Sequence, residues 1–401
     1  MILLSIALGL LATVLLLPTV SDLTAVLRIL VRGRTPAPVA PADPPRFLFL
    51  VPAHDEELLL ARCLESLKGL RYPSARFDIV VIADNCSDRT ADIARAAGVR
   101  CLERTAPNAP GKPRAISWAV SLLPVRDYDG LVIVDADTEV ARDFALQLAA
   151  RGPLAHRVLQ PHSGILNPSE NALTRMGAVL AAADYDFAYV LKTRAGLNVP
   201  LSVGMCLGSG VLAATGWTAH SLSEDWELYA VLTERGVRIE GVPAAKIRSL
   251  EASTLREAAS QRRRWTAGKL TVLVRHAGPL LRSRSIGLAQ KVDSLAALSV
   301  TGPVAHLCAV AVAVTAALLL RPPGSPLLAT ALLLTLVRPA VYTLVALCAD
   351  PEPVRAALAF AYLPLYAIWR AGITASALAM LGDKPWVRTQ RHVPPPPRPL
   401  G

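Results

Sequence analysis

Charge is scarce in this sequence. Asp, Glu, Lys and Arg make up 18% of its 401 residues, where soluble domains carry about 25%, and 53% of the residues are hydrophobic. That balance excludes an ordinary soluble protein and implies a membrane. Aromatic residues are also few, at 5%, and no basic run is interleaved with them. The net charge of +11 therefore points to an anionic lipid leaflet and not to nucleic acid. The six cysteines (Cys63, Cys86, Cys101, Cys206, Cys308 and Cys348) form no C-x-x-C pair. This argues against a disulfide framework or a zinc site and for a reducing compartment. No internal repeat is visible, and the supply of apolar residues excludes disorder for most of the chain.

Met1 to Val20 holds no charged side chain, and twenty residues at helical rise cross a bilayer core of about 30 Å. A cleaved signal peptide would place basic residues ahead of the apolar stretch. Here they follow it, at Arg28, Arg32 and Arg34. The positive-inside rule then puts the N-terminus outside and the chain that follows in the cytoplasm.

The expected organisation is a transmembrane helix with its juxtamembrane segment at 1–34, a Pro-rich linker at 35–45 and a cytoplasmic α/β domain at 46–275. An interfacial amphipathic helix follows at 276–293, where Leu280, Leu281, Ile286 and Leu288 lie among Arg282, Arg284 and Lys291. Membrane segments occupy 294–382 and a cytoplasmic tail 383–401. Within the α/β domain, Phe47–Val51, Asp78–Ala83, Val99–Leu102 and Leu131–Val134 read as strands. Helical patterns lie between them, from Glu56 to Leu67, from Ser87 and Asp88 to Gly98, and from Gly111 onward. Strand and helix in alternation imply a mostly parallel sheet covered on both faces.

The closing apolar segments are Ser294–Leu320, Ser325–Ala349 and Ala356–Leu381. If all three spanned, the basic tail (Lys384, Arg388, Arg391) would finish outside. Two spans are therefore expected, with Ala356–Leu381 interfacial or broken. Arg338 and Arg370 are costly in a bilayer and should face protein, water or phosphate.

In open α/β sheets, ligands collect beyond the carboxyl ends of the strands. Three acidic clusters fall there: His54-Asp55-Glu56-Glu57, Asp84-Asn85 and Asp135-Ala136-Asp137. Carboxylates one residue apart after a strand can both reach a hard divalent cation. They can equally cap helices or make Asx-turns, as Glu224-Asp225 can sit at a helix N-terminus.

Pro52–Glu56 is similar to the P-A-Y-N-E motif of the family-2 glycosyltransferases, with His54 and Asp55 in place of Tyr and Asn. Asp135-Ala136-Asp137 resembles their D-x-D, and Ser223-Glu224-Asp225 their T/x-E-D. Gln261-Arg262-Arg263-Arg264-Trp265 resembles the Q-x-x-R-W of the membrane-bound cellulose, hyaluronan and poly-N-acetylglucosamine synthases. All four motifs occur in family order between Arg46 and Trp265. The resemblance implies a nucleotide-sugar-binding glycosyltransferase A-type fold with a parallel-rich central sheet, carried between N- and C-terminal transmembrane helices.

It also implies a division of labour. Pro52, His54, Glu56 and Asp84 would hold the nucleobase and ribose, and Lys112 would contact a phosphate. Asp135 would bind ribose, and Asp135 and Asp137 would bind Mg²⁺ or Mn²⁺. Asp225 would act as catalytic base in a single, inverting displacement. Gln261, Arg264 and Trp265 would meet the diphosphate and the acceptor sugar, and Gly208-Ser209-Gly210 would form an acceptor-side loop. Trp386–Thr389 resembles a short tail motif of related synthases. The implied protein is a multi-pass inner-membrane enzyme transferring sugar from a UDP-sugar to a growing envelope or extracellular polysaccharide. Transfer of one sugar to a lipid acceptor is the rival reading, and a non-catalytic membrane-anchored sugar-nucleotide-binding regulator is a reading from another class.

Overall fold

The computed structural model describes residues 1–32, 43–221, 223–300 and 302–380. Most of the Pro-rich linker and the tail, including Lys384, Trp386–Thr389 and Arg391, lie outside the described residues. The described chain forms two compact units: 43–167 with 198–252, and 1–32 with 168–197 and 253–380.

The first of these units holds an eight-stranded sheet. Its strands are β1 (Phe47–Ala53), β2 (Phe77–Asp84), β3 (Arg100–Arg104), β4 (Gly130–Ile133), β5 (Thr138–Val140), β6 (Val158–Ile165), β7 (Cys206–Gly208) and β8 (Ile239–Ser249). Their order is β3-β2-β1-β4-β7-β6-β8-β5. Phe47 to Val51 are all fully buried, so β1 reads as an unbroken apolar run because both faces of a central strand are covered. The helix Leu60–Lys68 buries Leu60, Cys63, Leu64 and Leu67, a stripe at helical spacing that joins the core around Phe49 and Phe144.

β1 pairs in parallel with both β2 and β4, and β2 with β3. β7 runs antiparallel between β4 and β6, β6 and β8 are parallel, and β5 closes the edge antiparallel to β8. The sheet is thus parallel-rich but mixed. β2 and β3 leave β1 on one side and β4 on the other. The C-terminal ends of β1 and β4 therefore flank a switch point, where open α/β sheets leave a crevice.

The second unit contains the apolar helices. Among the described residues, four are long and apolar enough to cross a membrane: Ile2–Val31, Pro303–Leu320, Ser325–Ala349 and Pro353–Leu378. Leu8, Ala12 and Leu15 of the first pack on Val310, Ala313, Ala317, Ala329 and Leu332, and the alanines let the helices approach closely. The segment expected to be interfacial or broken is helical over Pro353–Ala359 and Leu363–Leu378, joined by a tight turn at Phe360–Tyr362.

Three expectations differ from this arrangement. Residues 168–197 and 253–275 belong to the unit of the apolar helices, as Leu173 and Met176 show against Val304 and Tyr366. The stretch 276–293 is not one helix. Leu255–Arg282 ends there and Leu288–Ser299 begins there, after a turn at Ser283, Ser285 and Gly287. Ser294 belongs to Leu288–Ser299, and the next helix starts only at Pro303, after Gly302 with φ 115°, a conformation that favours glycine.

Buried polar contacts brace this unit. Asp293, fully buried, pairs with Lys192 at 2.8 Å and accepts from Ser21 at 2.6 Å. Arg338 reaches Asp22 at 2.7 Å and lies over the Tyr342 ring. Arg370 donates to Thr266 at 3.0 Å. Both arginines of the apolar helices therefore face protein.

Candidate active site

Asp135-Ala136-Asp137 follows β4, in the turn that leads to β5. The Asp135 carbonyl accepts from the Thr138 N–H at 3.1 Å and the Thr138 hydroxyl at 2.7 Å, and this turn starts β5. One Asp135 carboxylate oxygen faces Lys112 Nζ at 2.6 Å. The same ammonium lies 2.9 Å from the Glu224 carboxylate. Lys112 opens the helix Lys112–Leu122, after Gly111 with φ 115°. Burial disfavours its charge, but the carboxylates of Asp135 and Glu224 outweigh that and raise its pKa.

Glu224 and Asp225 stand in the first turn of the helix Glu224–Glu234, where acids suit the helix dipole. The turn before it is fixed by Glu227, which accepts from the His220 and Ser221 N–H groups, both at 2.7 Å. Asp225 accepts from the Trp226 N–H at 2.8 Å. Burial and then the Glu224 charge push the Asp225 carboxyl up to about 7, against the opposing pull of Lys112 and the Trp226 N–H. A carboxyl poised near neutrality is suited to general-base work. The helix-cap reading and the chemical reading of Glu224-Asp225 are compatible, since the helix start is what aims the two acids.

Beyond β1 and β2 lie two non-glycine residues in the left-handed region, Asp55 and Asn85, each with φ 52°. His54 Nδ1 lies 2.6 Å from the Asp84 carbonyl. A carbonyl only accepts, so Nδ1 is the donor there. The acidic run after β1 braces the loop after β2. Asp55 accepts from the Ser87 N–H at 2.7 Å, while the Glu56 N–H donates to Thr90 and the Glu57 N–H to Asp88. Pro52 sits in β1 opposite Ile82. Asp84 is buried and pairs with Arg104 at 2.5 Å, accepting also from the Asn85 side chain and the Gly111 N–H.

Arg104 is the site residue that sequence reasoning missed. It lies directly opposite Asp84 in the β2–β3 register, two residues beyond the expected end of that strand. Gly208 and Gly210 have a packing role. A Cβ on Gly208 would stand 2.0 Å from the Leu154 carbonyl oxygen, and one on Gly210 would stand 2.8 Å from the His156 ring.

The first unit therefore brings Asp84, Lys112, Asp135, Glu224 and Asp225 together through the contacts above, with Asp137 two residues beyond Asp135. Gln261, Arg264 and Trp265 belong to the other unit, on the helix Leu255–Arg282. That helix is capped by Thr254, which accepts from the Glu257 N–H. Gln261, Arg264 and Trp265 are three and four residues apart and share a face. Arg262 stacks over Trp265, 5.0 Å from its ring centroid.

A family model described as glycosyltransferase like family 2 matches residues 44–268, more than half of the chain. The chain belongs to that family. Among its relatives, the probable glycosyltransferase YdaM of Bacillus subtilis is 26% identical over 246 residues, 58% of this chain and 57% of the relative. The beta-monoglucosyldiacylglycerol synthase of Trichormus variabilis is 26% identical over 229 residues, 55% of this chain and 48% of the relative. This family-2 glycosyltransferase thus spans about half the length of the curated relatives it matches. Among solved structures, the mannosyltransferase PcManGT from Pyrobaculum calidifontis, in complex with GDP-Man and Mn²⁺, is similar with a TM-score of 0.56. It is 19% identical and covers 93% of this chain and 97% of its own. That likeness is one of fold, the glycosyltransferase A-type sheet with its flanking helices.

Proposed function

We propose that this family-2 glycosyltransferase is a membrane-bound inverting enzyme that moves one sugar from a nucleoside-diphosphate donor to a lipid acceptor. The observation that carries the chemistry is Asp225, a carboxyl held near neutrality beside the Lys112–Asp135–Glu224 cluster. The donor lies in the crevice beyond β1 and β4. Pro52, His54 and Glu56 line its nucleobase and ribose side, while Asp84 fixes Arg104 and the loop behind them. Lys112 faces the diphosphate.

Asp135 and Asp137 offer hard oxygen donors two residues apart, and the Asp135 carboxylate already faces a cation, so the donor set fits Mg²⁺ or Mn²⁺. When bound, such an ion neutralises charge developing on the departing diphosphate. Asp225 takes the proton from the acceptor hydroxyl as that oxygen attacks the anomeric carbon. One displacement inverts the configuration, so an α-linked donor gives a β-linked product. Gln261, Arg264 and Trp265, on the helix Leu255–Arg282, carry the Q-x-x-R-W pattern that supports assigning them to donor and acceptor binding.

The lipid acceptor is supported by the four described helices long and apolar enough to span a membrane and by the likeness to a beta-monoglucosyldiacylglycerol synthase. The sheet-bearing unit is assigned to the cytoplasm, where the basic residues after the first helix would keep it. The polysaccharide acceptor, the first expectation from sequence, becomes the second reading here, favoured by the Gln261…Arg264-Trp265 pattern.

The test is nucleoside diphosphate release by the detergent-purified full chain, with native lipid extract. UDP-, GDP- and dTDP-sugars are offered with Mn²⁺, Mg²⁺ or chelator, and Asp225→Asn is the control. Release from one donor, lost with chelator and in the variant, is expected, with a product of lipid size. A product that grows into a ladder would favour the polymer. Wild-type release by Asp225→Asn would defeat the mechanism.

A further inference from the structure

We infer that Lys112 is a built-in counter-cation of the donor site, holding Asp135 and Glu224 before the donor arrives and turning onto the donor's diphosphate when a divalent cation takes Asp135. The inference rests on the proposed reading of Asp135 and Asp137 as metal donors. Three observations carry it.

The first is the position of the ammonium. Lys112 Nζ stands 2.6 Å from the Asp135 carboxylate and 2.9 Å from Glu224, so one lysine bridges the end of β4 and the start of the helix Glu224–Glu234. A divalent ion bonded to the same Asp135 oxygen at about 2.0–2.6 Å would sit within a few ångströms of that ammonium. Two cations at such a distance repel strongly, so metal binding displaces Lys112.

The second is reach. The Lys112 side chain is 27% exposed and the Asp135 side chain 35%, so the pair opens to solvent and to ligand. A lysine carries its charge on a flexible four-carbon stem, which lets the ammonium swing without moving the helix behind it. Asp84, by contrast, is buried under Arg104 and Gly111 and has no such freedom.

The third is the helix. Lys112 is the first residue of Lys112–Leu122, which has no side-chain cap. A cation is unfavourable beside the positive end of a helix dipole, and an anion is favourable there. The carboxylates of Asp135 and Glu224 offset this unfavourable placement while the donor is absent. Once a divalent ion competes for Asp135, a diphosphate at the same helix end restores the missing negative charge.

The consequence is linkage. Without nucleotide, the metal must displace an ammonium that has lost half its anionic company. With nucleotide present, the ammonium moves to phosphate, so each ligand raises the affinity of the other by the same factor. A lysine that merely stood near the site would weaken metal binding equally with and without nucleotide.

The experiment measures Mn²⁺ affinity of the full chain in detergent, by the loss of the free-ion spin-resonance signal, alone and with UDP or GDP. Removing the charge in Lys112→Met should tighten Mn²⁺ binding without nucleotide about tenfold or more, the range of a charged hydrogen bond. The factor by which nucleotide tightens Mn²⁺ should fall by a similar amount. Lys112→Arg keeps the charge and should stay near wild type without nucleotide, which separates charge from any loss of packing. Lys112→Met binding Mn²⁺ no tighter than wild type, or an unchanged nucleotide factor, would overturn the exchange. Asp135→Asn distinguishes the two levels of the argument. If it abolishes Mn²⁺ binding, the metal assignment stands whatever Lys112 does, and if it binds like wild type, that assignment falls first.

Discussion

Replacing Asp225 by Asn should stop sugar transfer and also make the protein more resistant to heat. Burial and the neighbouring Glu224 charge raise this carboxyl from 3.8 to about 7. That is roughly three units at 1.36 kcal/mol each, so the ionised carboxylate costs the folded state at most about 4 kcal/mol. The side chain keeps some contact with solvent, so the realised figure lies below that ceiling. The sign follows from proton binding. The folded state holds the Asp225 proton more tightly than the unfolded chain, so stability falls as pH rises from about 4 to about 7 and is flat above. Asn has nearly the same shape and no charge. The Tm difference between variant and wild type should therefore widen from pH 5 to pH 8, measured in detergent with chelator. Over the same range, wild-type kcat/KM should fall on the acid side with an apparent pKa near 7, and the variant should lose about 10²–10⁴-fold in rate. A Tm difference that ignores pH, or an acid limb near 4, would refute the assignment of a perturbed base.

Two further outcomes follow from the site's supports. Arg104→Met leaves the Asp84 carboxylate buried without its ion partner. It should cost about 3–5 kcal/mol, read as a large drop in Tm, and Asp84→Asn added to it should recover part of the loss. Gly208→Ala forces a methyl group against the Leu154 carbonyl and should destabilise by about 1–3 kcal/mol. It should give a lower Tm and little folded protein, and a fully stable variant would show that the 154–156 segment can yield.

β1, β2 and β4 were legible because each is an apolar run ended by turn chemistry inside the parallel core, whereas β3 (Arg100–Arg104) has no buried residue and showed only through the short Val99–Leu102 stretch. The later strands were not. β5 and β7 are three residues long, too short for any period to show. β6 and β8 carry Gln160, His162, Lys246 and Arg248, which break the apolar signal. Residues 168–197 looked like part of the α/β domain because the chain leaves the sheet-bearing unit and returns to it, and nothing local marks such an excursion. Asp135 was legible from its place after a strand, while the catalytic reading of Glu224 and Asp225 came only through their motif. The bridge that Lys112 makes between them joins residues more than a hundred positions apart and has no signature in spacing.

The Asp22–Arg338 pair joins residues 316 positions apart, and that separation has a consequence for how the chain is made. Synthesis proceeds at roughly 5–20 residues per second, so Asp22 precedes its arginine by about 15–60 s. An unpaired carboxylate is expensive in an apolar environment, so that part of the first helix gains its full stability only once Arg338 has been made. Ser21 waits as well, for Asp293. The helix translated earlier is thus the one whose contacts are completed late, so assembly of the apolar helices depends on the order of synthesis as well as on hydropathy.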